Sequence, residues 1–200
     1  MNTIEIPGLN GPGVWDIAPV DADFSDGVLS ITAPGGTDLF TDPMGSTIKD
    51  DAPRIAFPAD ARFTLSARVS VDAFVSTFDA GVLFVWTDAL RWGKLCFEFS
   101  PQGQPMVVTV TTNGVSDDCN HVPVTQDHVY MRISRMDPAI AMHYSLDGQT
   151  WHMVRYFALA GATSFAVGFS AQSPTGNGST ARFSEIRYST EPIADLRSGV

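Results

Sequence analysis

Phe63-Thr64-Leu65-Ser66-Ala67-Arg68-Val69-Ser70-Val71 alternates apolar and polar side chains without a break. Successive side chains of a strand point to opposite faces, so this stretch predicts a strand with one buried face and one wet face. The same signal recurs downstream. Trp92-Gly93-Lys94-Leu95-Cys96-Phe97-Glu98-Phe99 alternates again, with Leu95, Phe97 and Phe99 on one face and Trp92, Lys94, Cys96 and Glu98 on the other. Residues 81–86, 106–112, 129–134, 139–145, 151–157, 165–171 and 181–188 are further runs of β-branched and aromatic residues. Turn signals separate them: Pro101-Gln102-Gly103-Gln104, Asn113-Gly114, Asp147-Gly148 and residues 173–178. Many short strands with almost no helical period predict an all-β fold, a two-sheet antiparallel β-sandwich.

Upstream, residues 18–33 predict an entry strand that pairs with the last one. Residues 37–54 form a long acidic connection, and such connections often carry function. A chain of 200 residues, 44% hydrophobic and 17% charged, can bury one large core, so disorder is excluded. A single domain over residues 1–190 and a C-terminal extension over 191–200 are expected. The formal net charge of −10 repels phosphate backbones and anionic bilayers, so neither nucleic acid nor membrane is expected as a partner. The N-terminus lacks the charged and apolar regions of a signal peptide, so a cytoplasmic location with reduced thiols is expected. Of the two cysteines, Cys96 lies in an apolar run and reads as a buried free thiol, while Cys119 lies in a polar loop.

Several segments, in order, resemble the concanavalin A-like domain family that includes the fungal "regulation of enolase" proteins. They are Thr37-Asp38-Leu39-Phe40, residues 63–69, 78–84, 92–99, 108–118, 131–135 and 144–151, and Val167-Gly168-Phe169-Ser170-Ala171-Gln172-Ser173-Pro174. The resemblance implies two antiparallel sheets in a jelly roll with a concave face, where related folds bind or cleave glycans. Two positions depart from the family pattern. Ala80 stands where glutamine is usual, and Asp118 stands where tryptophan usually follows Ser-Asp.

Candidate chemistry follows from strand faces. Lys94 and Glu98 share a face about 13 Å apart by strand rise, either as a groove wall or as a solvated face with cross-strand charge pairs. Trp92 shares their parity and is the leading candidate to stack on a sugar ring. Thr109, Thr111 and Asp117 offer hydroxyl and carboxylate partners to sugar hydroxyls. Arg132 and Arg155 lie on strands, where a guanidinium must reach water or an acid. Lys94, Glu98, Arg132 and Trp92 are expected to converge in one groove.

Glu98 is the only catalytic candidate, and it has no acidic partner two or four positions away. Glycosidases need a placed carboxyl pair, so catalysis is not expected. Asp38, Asp42, Asp50 and Asp51 could offer oxygens to calcium, but without a loop signature; no cofactor is expected. The four histidines lack metal-ligand spacing. The reading carried forward is a non-catalytic, lectin-like carbohydrate-binding domain. The alternatives are a protein-interaction module that modulates a metabolic enzyme, and a glycoside hydrolase-like enzyme.

Overall fold

The computed structural model describes residues 3–200. Its strands, in chain order, are β1 (Thr3–Ile4), β2 (Gly13–Ile17), β3 (Asp21–Ser25), β4 (Val28–Pro34), β5 (Leu39–Thr41), β6 (Ile48–Asp50), β7 (Arg54–Pro58), β8 (Arg62–Val71) and β9 (Ala80–Asp88). They continue as β10 (Arg91–Phe99), β11 (Pro105–Asn113), β12 (Val115–Pro123), β13 (His128–Met136), β14 (Ala139–Ser145), β15 (His152–Phe157), β16 (Ala166–Gln172) and β17 (Gly178–Ser189). Among the described residues no helix is long and apolar enough to cross a membrane.

The strands form two large antiparallel sheets packed as a sandwich. The first runs β1-β2-β7-β16-β9-β10-β11-β12, and the second β15-β14-β13-β8-β17-β4-β3. The core lies between them, as the alternation predicts. Phe63, Leu65, Ala67 and Val69 from the second sheet meet Leu83, Val85, Leu95, Phe97 and Phe169 from the first. The expected entry strand over 18–33 is two strands, β3 and β4, paired with each other, and β4 pairs with the last strand, Leu29 opposite Phe183. Asp147-Gly148 turns the chain between β14 and β15, with Gly148 at φ 72°. That left-handed conformation suits glycine, which has no Cβ to clash.

Residues 37–54 do not form an open loop. They fold into the β5–β6 hairpin, which lies on the outer face of the first sheet. Leu39 and Ala52 pack there on Trp92 and Val110, and the backbone amide of Thr41 donates to Ser116 Oγ at 2.9 Å. Arg54 holds the far side of the hairpin through Asp50 at 2.7 Å.

Candidate functional site

Pairing across β9, β10 and β11 decides what the hairpin covers. Lys94 sits opposite Phe84 and Val110, Cys96 opposite Val82 and Val108, and Glu98 opposite Ala80 and Met106. Directly paired residues share a face, so these side chains all point away from the core. The outer face of the first sheet therefore has an apolar floor of Ala80, Val82, Phe84, Cys96 and Val108, with two ionisable groups set into it.

A cavity of about 120 Å³ opens on this floor, lined by Asp38, Phe40, Phe78, Lys94, Glu98, Val110, Asp118 and Gln172. Lys94 Nζ donates to Asp38 Oδ1 at 3.0 Å and to Gln172 Oε1 at 2.9 Å. Burial is the largest influence and opposes the charged ammonium, but the acidic groups around it, Asp38 foremost, together outweigh it, and the Lys94 pKa is raised. Lys94 thus stays charged and balanced by Asp38. Glu98 lies only 6% exposed, and among the described residues the one hydrogen-bond contact of its carboxyl is Gln172 Nε2 at 3.5 Å. Burial pushes its pKa up to about 8, against the pull of Lys94. That shift favours the protonated carboxyl facing the cavity, a form able to donate as well as accept. Burial also raises the Asp118 carboxyl at the mouth.

The rim is held under strain. Phe78 adopts φ 71°, a left-handed conformation that bulky residues rarely adopt. Its own backbone is held on both sides, the amide donating to Phe99 O at 2.7 Å and the carbonyl accepting from Gln172 Nε2 at 3.2 Å. The next residue, Asp79, is 1% exposed and accepts from the backbone of Ser76 at 2.9 Å and from Ser173 Oγ at 2.7 Å. Strain held this firmly beside a cavity is a mark of functional positioning.

Of the residues singled out in the sequence, Lys94 and Glu98 line the cavity. The expected convergence with Trp92 and Arg132 is corrected. Trp92 is 1% exposed, stacked on Trp86 at 6.3 Å and covered by the hairpin, so its ring has no free face. Arg132 lies on the other sheet. It pairs with His143 on the face opposite the core residues Met131 and Ile133, and its guanidinium packs 4.1 Å from the Trp151 ring.

Thr109 and Thr111 are also corrected. They pair with Leu95 and Gly93, which puts them on the core side of their strand. Thr109 bonds His121 Nε2 at 2.8 Å. Arg155 reaches from β15 to Thr111 Oγ1 at 2.7 Å and to Asp117 Oδ1 at 2.6 Å, and so staples the edges of the two sheets together. In each case the strand parity was read correctly within the strand, but the face it presents depends on its partner.

The carboxylates considered for calcium are separately engaged. Asp38 pairs with Lys94, Asp50 with Arg54 and Asp51 with Lys49, and Asp42 accepts from the backbone amide of Met44 in the hairpin turn. Among the described residues no group of three metal-ligating side chains converges.

Sequence reasoning did not assign Phe40, Phe78, Val110 or Gln172 to the site, and Asp38 and Asp118 entered only under other readings. A signal existed for Gln172: Gly168, Ser170 and Gln172 are small or polar residues at every second position of an otherwise apolar strand. Ala80 and Asp118, the two departures from the family pattern, both lie here, Ala80 opposite Glu98 and Asp118 at the mouth.

A family model described as "Protein of unknown function (DUF1349)" matches residues 15–191. The chain belongs to this family. It is 25% identical over 174 residues to "Regulation of enolase protein 1" of Saccharomyces cerevisiae, covering 86% of this chain and 87% of that one. The structure of a functionally unknown protein from Saccharomyces cerevisiae superposes with a TM-score of 0.83 at 24% identity, covering 90% of this chain and 97% of that one. The GH43 BlXynB protein from Bacillus licheniformis superposes with a TM-score of 0.66 at 14% identity over 82% of this chain. The match covers 33% of that protein, so this DUF1349 domain corresponds to about a third of its length. Identities this low carry the fold, a concanavalin A-like sandwich.

Proposed function

We propose that this DUF1349 domain is a non-catalytic carbohydrate-binding domain whose concave-face cavity takes the end of a sugar or a comparable small polyol from a cytoplasmic pool. The observation that carries this reading is Glu98, a buried carboxyl with one long contact, facing a cavity whose other polar groups are Lys94, Asp38, Asp118 and Gln172. A protonated carboxyl, an ammonium, a carboxylate and an amide supply both donors and acceptors, which is what a hydroxyl-rich ligand needs. The cavity's about 120 Å³ is the space of roughly four liquid waters, so it admits part of a sugar and not a whole chain. The shared fold with a GH43 protein is consistent with a sugar ligand.

A second reading rests on one observation, that Glu98 with its raised pKa and Asp118 line the same cavity. An acid of that kind could protonate a leaving group, which would make the protein glycoside hydrolase-like.

A thermal-shift screen against monosaccharides, oligosaccharides and sugar phosphates tests the binding reading. A ligand at 100 times its Kd should stabilise the fold by about 2.7 kcal/mol, a shift of a few degrees. Lys94→Met should abolish the shift. A panel without a hit removes this reading and favours the protein-interaction module. Release of aryl glycoside product, lost in Glu98→Gln, would favour the hydrolase.

A further inference from the structure

Three non-glycine residues adopt a left-handed backbone among the described residues: Asp26, Phe78 and Glu185. Asp26 belongs to the Asp26-Gly27 turn between β3 and β4, where such a conformation is ordinary. Phe78 lines the cavity described above. Glu185 lines a different one, on the outer face of the other sheet.

Phe183 lies in the core, and Ile186 and Tyr188 pack against it. Their parities differ, so β17 must insert an extra residue between them. It does so as a bulge between Ser184 and Arg187, with Glu185 at φ 51°. Bulges re-aim side chains, and glycine would make this one without steric cost. Glutamate accepts the cost and carries a carboxylate outward, where Tyr130 Oη donates to it at 3.1 Å.

The cavity there has a volume of about 280 Å³. Its wall includes Ser66, Tyr130, Gln149, Trp151, Glu185 and Arg187. Arg132 packs on the Trp151 ring and fixes its orientation. Asp147 also borders the cavity, but its carboxylate is engaged by Ser145, Gln149 and Thr150 in the hairpin turn. The other groups facing the cavity are the Glu185 carboxylate and the Tyr130 hydroxyl, bonded to each other but with acceptor capacity to spare, the Arg187 guanidinium, the Gln149 amide, the Ser66 hydroxyl and the Trp151 indole. With the ionised Asp147 counted, the cavity carries an excess of negative charge, which disfavours an anionic ligand, and it offers both donors and acceptors beside an aromatic wall. The volume is that of about nine waters, the scale of one sugar ring.

We propose that this outer-face cavity of the second sheet is a binding site for a single neutral monosaccharide ring, independent of the cavity at Lys94 and Glu98. The two sites lie on opposite faces of the sandwich, so the domain can hold two sugar units at once.

The test is a titration of the full-length, ¹⁵N-labelled chain with glucose, galactose, mannose and xylose, followed by NMR. At least one sugar should shift the Trp151 indole signal and the Gln149 and Glu185 amides in a saturable manner. Glu185→Gly relieves the backbone strain, so its Tm should be no lower than that of the parent. The same shifts should then need about tenfold more sugar, while signals around Lys94 respond as before. Arg187→Ala, a change at an exposed position, should weaken the same shifts without altering the bulge. Lys94→Met should leave them intact, which separates this site from the concave one. The proposal is overturned if no sugar of the four moves these signals saturably, or if both Glu185→Gly and Arg187→Ala bind as tightly as the parent.

Discussion

Glu98 is a carboxyl with an apolar floor beside it and one long amide contact, and its behaviour with pH follows from that. Its pKa is ordinarily 4.5 and is raised to about 8 in the fold. Between those values the folded chain holds a proton that the unfolded chain has released. The folded state therefore binds more protons, and stability contributed at this residue falls as pH rises from about 4.5 to about 8. Glu98→Gln cannot ionise, so its Tm relative to the parent should climb across that window and level off above it. Thermal melts at a series of pH values measure this. A difference that stays flat with pH would mean that Glu98 is ionised in the neutral protein. The parity of residues 92–99 was enough to predict that Lys94 and Glu98 leave the core together, because alternation is a local property. Their partners, Asp38 and Gln172, lie 56 and 78 residues from Lys94 and carried no local mark of the contact.

At the scale of elements, β16 decides how the floor of the first sheet's outer face is laid. A Cβ built on Gly168 would fall 1.9 Å from the backbone oxygen of Ile55 and 2.9 Å from the Phe84 ring. The first neighbour is backbone of β7 and cannot yield without breaking the ladder. Gly168→Ala should cost about 3 kcal/mol in urea unfolding, at the upper end of ordinary overpacking. A loss under about 0.5 kcal/mol would show that β7 and β16 can separate freely, contrary to the packing described. The β5–β6 hairpin is the element that sequence reasoning read least well. Its acidic, turn-rich composition resembles a solvated loop, yet Leu39 and Ala52 bury against Trp92. Two apolar residues in an acidic segment do not announce which surface they will meet, and for that reason Trp92 looked available when it is covered.

For the whole molecule, the sandwich separates the two thiols. Cys96 and Cys119 are both free; Cys96 is fully buried on the apolar floor among Val82, Phe84 and Val108, and burial raises its pKa well above the usual thiol value. Cys119 is partly exposed on the edge strand β12. A thiol reagent should therefore titrate one cysteine in the native protein and two after unfolding, since reaction requires an accessible thiolate. Two fast thiols in the native state would mean that the apolar floor around Cys96 opens readily. No reaction even after unfolding would indicate a disulfide.

Alternation, turn residues and composition determined most of the long strands from β8 onward, though not β12, together with the all-β class and the side of β10 that faces away from the core, because each depends on neighbours within a few positions. The tertiary structure alone decided which faces meet. It turned Thr109 and Thr111 inward, placed Arg132 on the opposite sheet, laid the hairpin over Trp92, and brought Asp38, Phe78 and Gln172 to Lys94 and Glu98. The physical reason is that the register between strands and the path of a connection over a sheet are set by side chains distant in sequence. A strand's own pattern says that it has two faces, and only its partners say what each face will touch.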